Sequence, residues 1–236
     1  MKIINFLGLL VLAILGGLIA QQLVWPFLLQ YPFFAQYKNE DQPIQVTEQN
    51  NIYIEENTAL EEAVEKVTKS VVGVKTVTAE GNLEGSGLVI TSDGLVITLA
   101  ELVPLGADFS FYLDGELASY QILKRDIENN LALIKLGEDN LKTLSFIKED
   151  NIKLGKEVFL FGYLFEGKGT QSEIVNEGTI RKITDSLIET NIFEKEELLG
   201  SPLIDVQGNF LGLNQINEEG RVVTIPINII KEFTGF

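Results

Sequence analysis

The chain has 236 residues, and its 34 acidic side chains outnumber its 18 basic ones, which gives a formal net charge of −16. This balance excludes a broad nucleic-acid surface, because such surfaces need clustered lysine and arginine. The sequence also contains neither cysteine nor histidine. Disulfide bonds, thiolate zinc sites, histidine metal ligands and a Ser-His-Asp triad are therefore excluded, and the sequence predicts no metal site and no cofactor.

The first segment is apolar and long enough to span a membrane. Residues 3–20 form an apolar run of 18 that follows Lys2, and a membrane-spanning helix needs about 20 such residues. A cleavable signal peptide is the alternative, but the candidate cleavage site, with Leu18 and Ala20, is a poor match because the position that Leu18 occupies prefers a small residue. We therefore predict an uncleaved transmembrane signal anchor over residues 1–24. The basic flank stays in the cytoplasm, so the rest of the chain is expected outside it.

Residues 25–57 are predicted to form an interfacial segment followed by a polar linker. Aromatic side chains such as Trp25 and Tyr31 suit the membrane–water interface, and Pro26 and Pro32 prevent a continuous helix. The second half of the segment is rich in Asn, Gln and Glu and shows little periodicity, which is typical of a linker.

An independent domain is predicted over residues 58–236, and it begins with a short helix. Thr58 and Glu61 form a capping box, in which each side chain can bond the backbone at the other residue. Apolar residues then recur at helical spacing at Ala63 and Val67, so an amphipathic helix is expected here.

The rest of this domain is predicted to consist of short strands separated by turns. The Asp-Gly pairs at residues 93–94 and 114–115 are strong hairpin signals, and the Gly-rich residues 165–170 are predicted to form a surface loop. The predicted strands cover residues 71–77, 87–90, 95–99, 109–113, 117–123, 131–136, 158–163, 177–183, 186–190, 202–206, 210–215 and 222–225. Many short strands with regular turns indicate an all-β barrel or sandwich.

Six sequence blocks resemble, in chain order, those of the HtrA/Deg trypsin-like serine proteases. The blocks are AVEKVTKSVVGV at residues 63–74, GSGLVITSDGLVIT at 85–98, NLALIKL at 130–136, GSPL at 200–203, GNFLGLN at 208–214 and TIPI at 224–227. The resemblance implies an all-β fold, the double β-barrel of trypsin-like proteases. It also implies a membrane-tethered domain outside the cytoplasm. We expect no PDZ domain, because the sequence ends soon after the last block.

The same resemblance implies that the catalytic positions are all altered. Glu101 stands where the family has its histidine, and Asn130 stands where it has its aspartate. Leu199 occupies the position of the nucleophilic serine, and Glu197 replaces the glycine of the oxyanion hole. Ser201 is the alternative nucleophile, although the chain has no histidine to activate it.

These replacements predict a pseudoprotease that binds a peptide or a partner protein. The resemblance places Leu213 and Asn214 on the wall of its cleft. The other predicted contact is with the membrane, through residues 3–20. Two alternatives stay open: a structural subunit of an envelope assembly, and a hydrolase of non-standard mechanism. In the second alternative Glu101 and Glu197 form an acid–base pair or hold a calcium or magnesium ion.

Overall fold

A computed structural model describes residues 8, 12–13, 15–17, 19–20, 22, 56–79, 81–166, 170–195 and 198–236. Contacts divide the chain between Tyr53 and Ile54, and the fold given below is that of the second unit, Ile54–Phe236. Within the described part of the chain, no helix is long and apolar enough to cross a membrane. Most of the predicted anchor and of the predicted linker lies outside the described residues, so both stay predictions.

Helix α1 (Glu56–Thr68) precedes the first sheet. Its residues Ala63 and Val67 are buried in the core, as their helical spacing predicts. The predicted capping box is wrong in its placement. The helix begins at Glu56, so Thr58 lies inside the first turn instead of flanking it.

The first sheet has seven antiparallel strands in the order β5-β4-β1-β2-β3-β7-β6. The strands are β1 (Val71–Val77), β2 (Asn82–Val89), β3 (Leu95–Leu99), β4 (Asp108–Leu113), β5 (Glu116–Ala118), β6 (Tyr120–Asp126) and β7 (Leu131–Leu136). The single strand predicted over residues 117–123 is divided at Ser119, whose carbonyl accepts a hydrogen bond from the Gly137 amide at 2.9 Å. Because β5 leads directly into β6, the two edges of the sheet are joined and the sheet curls into a barrel.

The second sheet also has seven strands, in the order β12-β9-β10-β11-β14-β13-β8. The strands are β8 (Ser145–Phe146), β9 (Glu157–Glu166), β10 (Thr170–Ile183), β11 (Ile188–Phe193), β12 (Pro202–Asp205), β13 (Asn209–Ile216) and β14 (Arg221–Pro226). An additional pairing between β12 and β13 closes this sheet into a second barrel. Strands β9 and β10 are longer than predicted and form one long hairpin, and residues 167–169 at its tip lie outside the described residues.

Helix α2 (Ile227–Thr234) follows the last strand and was not predicted from the sequence. Its buried residues Ile227, Ile230 and Phe233 lie three apart, on one face of the helix. The helix ends at Gly235, which adopts a left-handed conformation with φ of 85° and donates its amide hydrogen to the Lys231 carbonyl. Its eight residues are too few for the periodicity to stand out from a strand pattern.

The two sheets share an apolar core, and β1 and β2 of the first barrel pack against β9 of the second. Its largest fully buried side chains include Phe111, Phe159, Phe161, Phe210, Leu88 and Ile97. These features confirm the prediction of a mostly β domain with two barrel-like sheets. The packing also brings the turn after β3, the turn before β7 and the connection between β11 and β12 into the region where the two barrels meet.

Candidate functional site

Glu101 and Asn130 are joined by two reciprocal hydrogen bonds, although 29 residues separate them in the chain. The backbone amide of Glu101 donates to Asn130 Oδ1 at 2.9 Å, and Asn130 Nδ2 donates to Glu101 Oε1 at 2.6 Å. Glu101 lies in a 3₁₀ turn, Ala100–Leu102, directly after β3. The structure therefore brings the predicted histidine and aspartate positions together, but as a carboxylate held by a neutral amide.

A tight turn before β7 holds Asn130 in place. Asn130 has φ of 53°, a left-handed conformation that asparagine tolerates better than most residues. In the same turn Asp126 accepts bonds from the backbone amide of Asn129 at 3.1 Å and from its side chain at 2.7 Å. The side-chain bond is the largest cause that lowers the pKa of the Asp126 carboxyl below its usual value. Asn130 is thus positioned by its own left-handed backbone conformation and by the hydrogen bonds between Asn129 and Asp126 in the same turn.

Leu199 lies on the connection between β11 and β12 and is half-buried against the core. Its carbonyl accepts a hydrogen bond from the Ser86 amide at 2.8 Å, which ties this connection to the first barrel. The next residue, Gly200, has φ of 72°, and a Cβ there would lie 2.2 Å from the Ser86 carbonyl oxygen. Only glycine fits this position, so the backbone of the connection is held in one conformation. The side chain that it presents at Leu199 is apolar.

Ser201, the alternative nucleophile, is fully buried. Its hydroxyl oxygen accepts a hydrogen bond from Asn214 Nδ2 at 3.2 Å, and Asn214 Oδ1 accepts one from the Thr224 hydroxyl at 2.7 Å. This chain of polar groups satisfies side chains that burial would otherwise penalise. Ser201 therefore stabilises the second barrel and is not exposed to a substrate.

Leu213 and Asn214 are both fully buried on β13. Leu213 lies between its partners Pro202 on β12 and Ile225 on β14, and Asn214 carries the hydrogen bonds to Ser201 and Thr224 described above. Neither side chain reaches the surface. Their role in peptide binding stays a prediction. Because both side chains are buried, they can affect a bound peptide only through the shape of β13.

A depression of about 590 Å³ opens beside Leu199. We call it the groove. Its lining residues are Asn82, Leu83, Glu84, Glu194, Lys195, Leu199, Ile216, Asn217, Glu218 and Gly220. It lies between the start of β2 and the end of β13. Sequence reasoning missed Leu83 and Ile216, although Ile216 lies two residues after Asn214 and so shares its strand edge.

Two strand edges with available backbone groups flank the groove. On β13 the amide and carbonyl of Asn214 bond to Ser201 and Gly200, at 2.9 and 2.8 Å. Because backbone groups alternate along a strand, those of Ile216 face the same side, where no described strand pairs with them. On β2 the Ser86 amide likewise faces Leu199, and the backbone groups of Glu84, two residues earlier, point to the same side. Glu84 lies outside the part of β2 that pairs with β3.

Carboxylates predominate at the groove. Glu84 forms an ion pair with Lys75 at 3.3 Å, and Glu194 Oε1 accepts a hydrogen bond from Asn176 at 2.5 Å. Glu197, the predicted oxyanion-hole position, lies outside the described residues. In the portion of the chain that is described, no three carboxylates are grouped as ligands for a metal ion.

Comparison with known proteins agrees with this architecture. Residues 85–213 match the family described as "Trypsin-like peptidase domain". Over 135 residues the chain is 27% identical to a probable periplasmic serine endoprotease DegP-like protein of Halomonas elongata, which covers 55% of this chain and 28% of that protein. It is also 27% identical over 161 residues to serine protease HTR4 of Rattus norvegicus, covering 63% of this chain and 33% of that one. The chain thus spans about a third or less of these relatives.

Solved structures show the same fold. The HtrA-type protease AlgW, solved with a tripeptide, superposes with a TM-score of 0.64 at 22% identity, covering 75% of this chain and 62% of AlgW. A serine endoprotease from Yersinia pestis gives a TM-score of 0.66 at 18% identity, covering 75% and 65% of the two chains. With 129 matched positions out of 236 residues, the chain belongs to the trypsin-like peptidase domain family and is of the HtrA/Deg type.

Proposed function

We propose that this protein is a pseudoprotease, which binds extended peptides in the groove without cleaving them. The observation that carries the proposal is the reciprocal Glu101–Asn130 pair, whose members the sequence resemblance assigns to the positions of the catalytic histidine and aspartate. Acyl transfer by this fold needs a general base that takes the nucleophile's proton and then returns it to the leaving group. A carboxylate held by an amide is a weaker base than imidazole, and Asn130 cannot become charged to stabilise a protonated partner.

The nucleophile position supports the same conclusion. Leu199 offers no atom that can attack a carbonyl, and Ser201 is buried and bonded to Asn214. In a serine protease that uses the same triad, loss of the serine or the histidine alone lowers turnover on the order of 10⁶-fold. This chain lacks histidine altogether, so proteolysis by the usual mechanism has neither its base nor its nucleophile.

Binding, in contrast, needs only backbone groups and pockets. A peptide that lies along the groove as an added strand can pair with the edges at Glu84 and Ile216, which no described strand occupies. Leu83 and Leu199 supply apolar surface for its side chains. None of these features depends on a catalytic triad, so the loss of chemistry leaves this mode of recognition available.

The proposal also includes a tether that holds this domain outside the cytoplasm. The apolar run over residues 3–20 and the periplasmic assignment in the name of the Halomonas elongata relative support it. The test is fractionation of the native protein followed by N-terminal sequencing. We expect Met1 or Lys2 to be retained in a membrane fraction that withstands a carbonate wash, and a soluble form that begins near Gln21 would contradict the anchor.

The central test measures cleavage and binding on the same preparation of the full chain. We expect no digestion of casein and no labelling by a fluorophosphonate probe, whereas extended peptides that contain leucine bind with measurable affinity by fluorescence anisotropy. Leu83→Trp places a bulky ring in the groove and is expected to weaken this binding at least tenfold. The matched control is Leu117→Trp, because Leu117 is 67% exposed on β5 and does not line the groove.

The outcomes separate the candidate functions. Labelling of the wild-type chain by the probe, with casein cleavage, would establish a hydrolase of non-standard mechanism. Equal effects of Leu83→Trp and Leu117→Trp on every ligand would favour a structural subunit whose contacts lie elsewhere on the surface.

A further inference from the structure

The groove continues into a second depression of about 370 Å³. The two share Glu84, Glu194 and Lys195. The walls of the second depression are mostly apolar, formed by Leu164, Phe165, Ile174 and Leu198. Together with the groove they give an extended apolar floor, long enough for more than one side chain of a bound strand.

Carboxylates surround this floor. Glu84, Glu166, Glu194 and Glu218 line the two depressions, against one lysine, Lys195, among their described lining residues. Glu166 accepts a hydrogen bond from the Ser172 hydroxyl at 2.7 Å, and Glu194 accepts one from the Asn176 amide. Both donors are neutral, so they orient the carboxylates without cancelling their charge. Among these four carboxylates, Glu84 is the one that forms an ion pair with a described lysine or arginine, namely Lys75.

From this arrangement we propose that the ligand is an extended peptide in which lysine or arginine alternates with apolar residues. The inference rests on the proposed peptide-binding function and adds the chemistry of the peptide. In a bound strand successive side chains point to opposite faces. Apolar side chains therefore turn to the floor at Leu83, Leu199 and Ile216. Their basic neighbours leave from the opposite face, and the long side chain of lysine or arginine can bend sideways to bring its charge to the carboxylates at the rim.

The charge of the whole protein acts in the same direction. A formal net charge of −16 attracts cationic ligands over a distance and repels acidic ones. This long-range attraction depends on salt, because the Debye length falls to about 8 Å at physiological ionic strength. The rim carboxylates act at contact distance, so charge at the rim and charge elsewhere have separable effects.

The experiment compares three labelled peptides on the full chain by fluorescence anisotropy. The peptides share two leucines in the pattern x-Leu-x-Leu-x, where x is lysine, glutamine or glutamate. We expect the lysine peptide to bind about tenfold more tightly than the glutamine peptide and the glutamate peptide to bind most weakly. The double variant Glu194→Gln/Glu218→Gln is expected to remove most of the preference for lysine.

A matched control keeps the net charge equal. Glu149→Gln/Glu232→Gln changes the formal charge by the same amount, and both residues are exposed and lie outside the groove. If the lysine and glutamine peptides bind equally, or if the two double variants weaken lysine binding equally, the inference is overturned while the proposed peptide binding stands. If none of the three peptides binds, the proposed function itself fails.

Discussion

Replacing Asn130 by aspartate restores the family's residue and should nevertheless destabilise this protein. Aspartate cannot donate the 2.6 Å hydrogen bond that Asn130 Nδ2 gives to Glu101 Oε1. Because Glu101 is exposed, loss of this bond is expected to cost about 1 kcal/mol. The new carboxylate at position 130 also faces the carboxylate of Glu101. Two like charges about 4 Å apart in a water-like medium repel by about 1 kcal/mol.

We therefore expect Asn130→Asp to lower the free energy of unfolding by about 2 kcal/mol at pH 7. With a urea dependence of about 2 kcal/mol per molar, the midpoint of unfolding should fall by about 1 M. The assay is urea unfolding of the full chain followed by circular dichroism. At acidic pH the loss should shrink, because protonation of the new carboxyl removes the repulsion and restores a donor.

The double variant Glu101→Gln/Asn130→Asp provides the control. Its glutamine amide can donate to the new aspartate, whose second oxygen still accepts from the backbone amide of residue 101, so both bonds persist with the charge exchanged. We expect its stability to lie within about 0.5 kcal/mol of the wild type, so the second substitution should recover about 1.5 kcal/mol or more of the loss caused by Asn130→Asp. A loss below about 0.5 kcal/mol in Asn130→Asp, or no recovery in the double variant, would refute the reasoning.

Three further predictions concern residues outside this pair. Ser201→Ala should show no fluorophosphonate labelling, as expected for the wild type, and should lower stability by about 1 to 2 kcal/mol, because it removes the acceptor of Asn214 Nδ2. Asp205→Ala should cost about 2 to 4 kcal/mol in urea unfolding, since this buried carboxylate forms an ion pair with Lys156 at 3.1 Å. Burial raises the pKa of Tyr163 to about 12, so stability should be full below about pH 10 and decline as the pH rises toward 12. Tyr163→Phe should flatten that decline in thermal unfolding measured between pH 9 and 12; an unchanged slope would contradict it.

Much of the fold followed from local patterns. Strands β1, β3 and β7 lie within the predicted residues, because the alternation along each strand and the Asp-Gly turn before β3 depend only on neighbours in sequence. The division of one predicted strand at Ser119 and the extension of β10 to Thr170 were missed. Both depend on pairing partners that are distant in the chain, and no local periodicity encodes them.

The sequence by itself determined that no Ser-His-Asp triad can exist, because the absence of histidine is independent of folding. It also predicts, through a resemblance in ordered blocks, that Glu101, Asn130 and Leu199 occupy the catalytic positions. The tertiary structure decided which groups those residues contact. Only the packing of two turns 29 residues apart forms the Glu101–Asn130 bonds, and only the closure of β12 onto β13 buries Leu213. Residue type fixes which chemistry is possible, whereas burial and the direction of strand edges are set by contacts between distant segments. For that reason the groove beside Leu199 could not be predicted from the sequence and is defined only by the folded structure with both barrels in place.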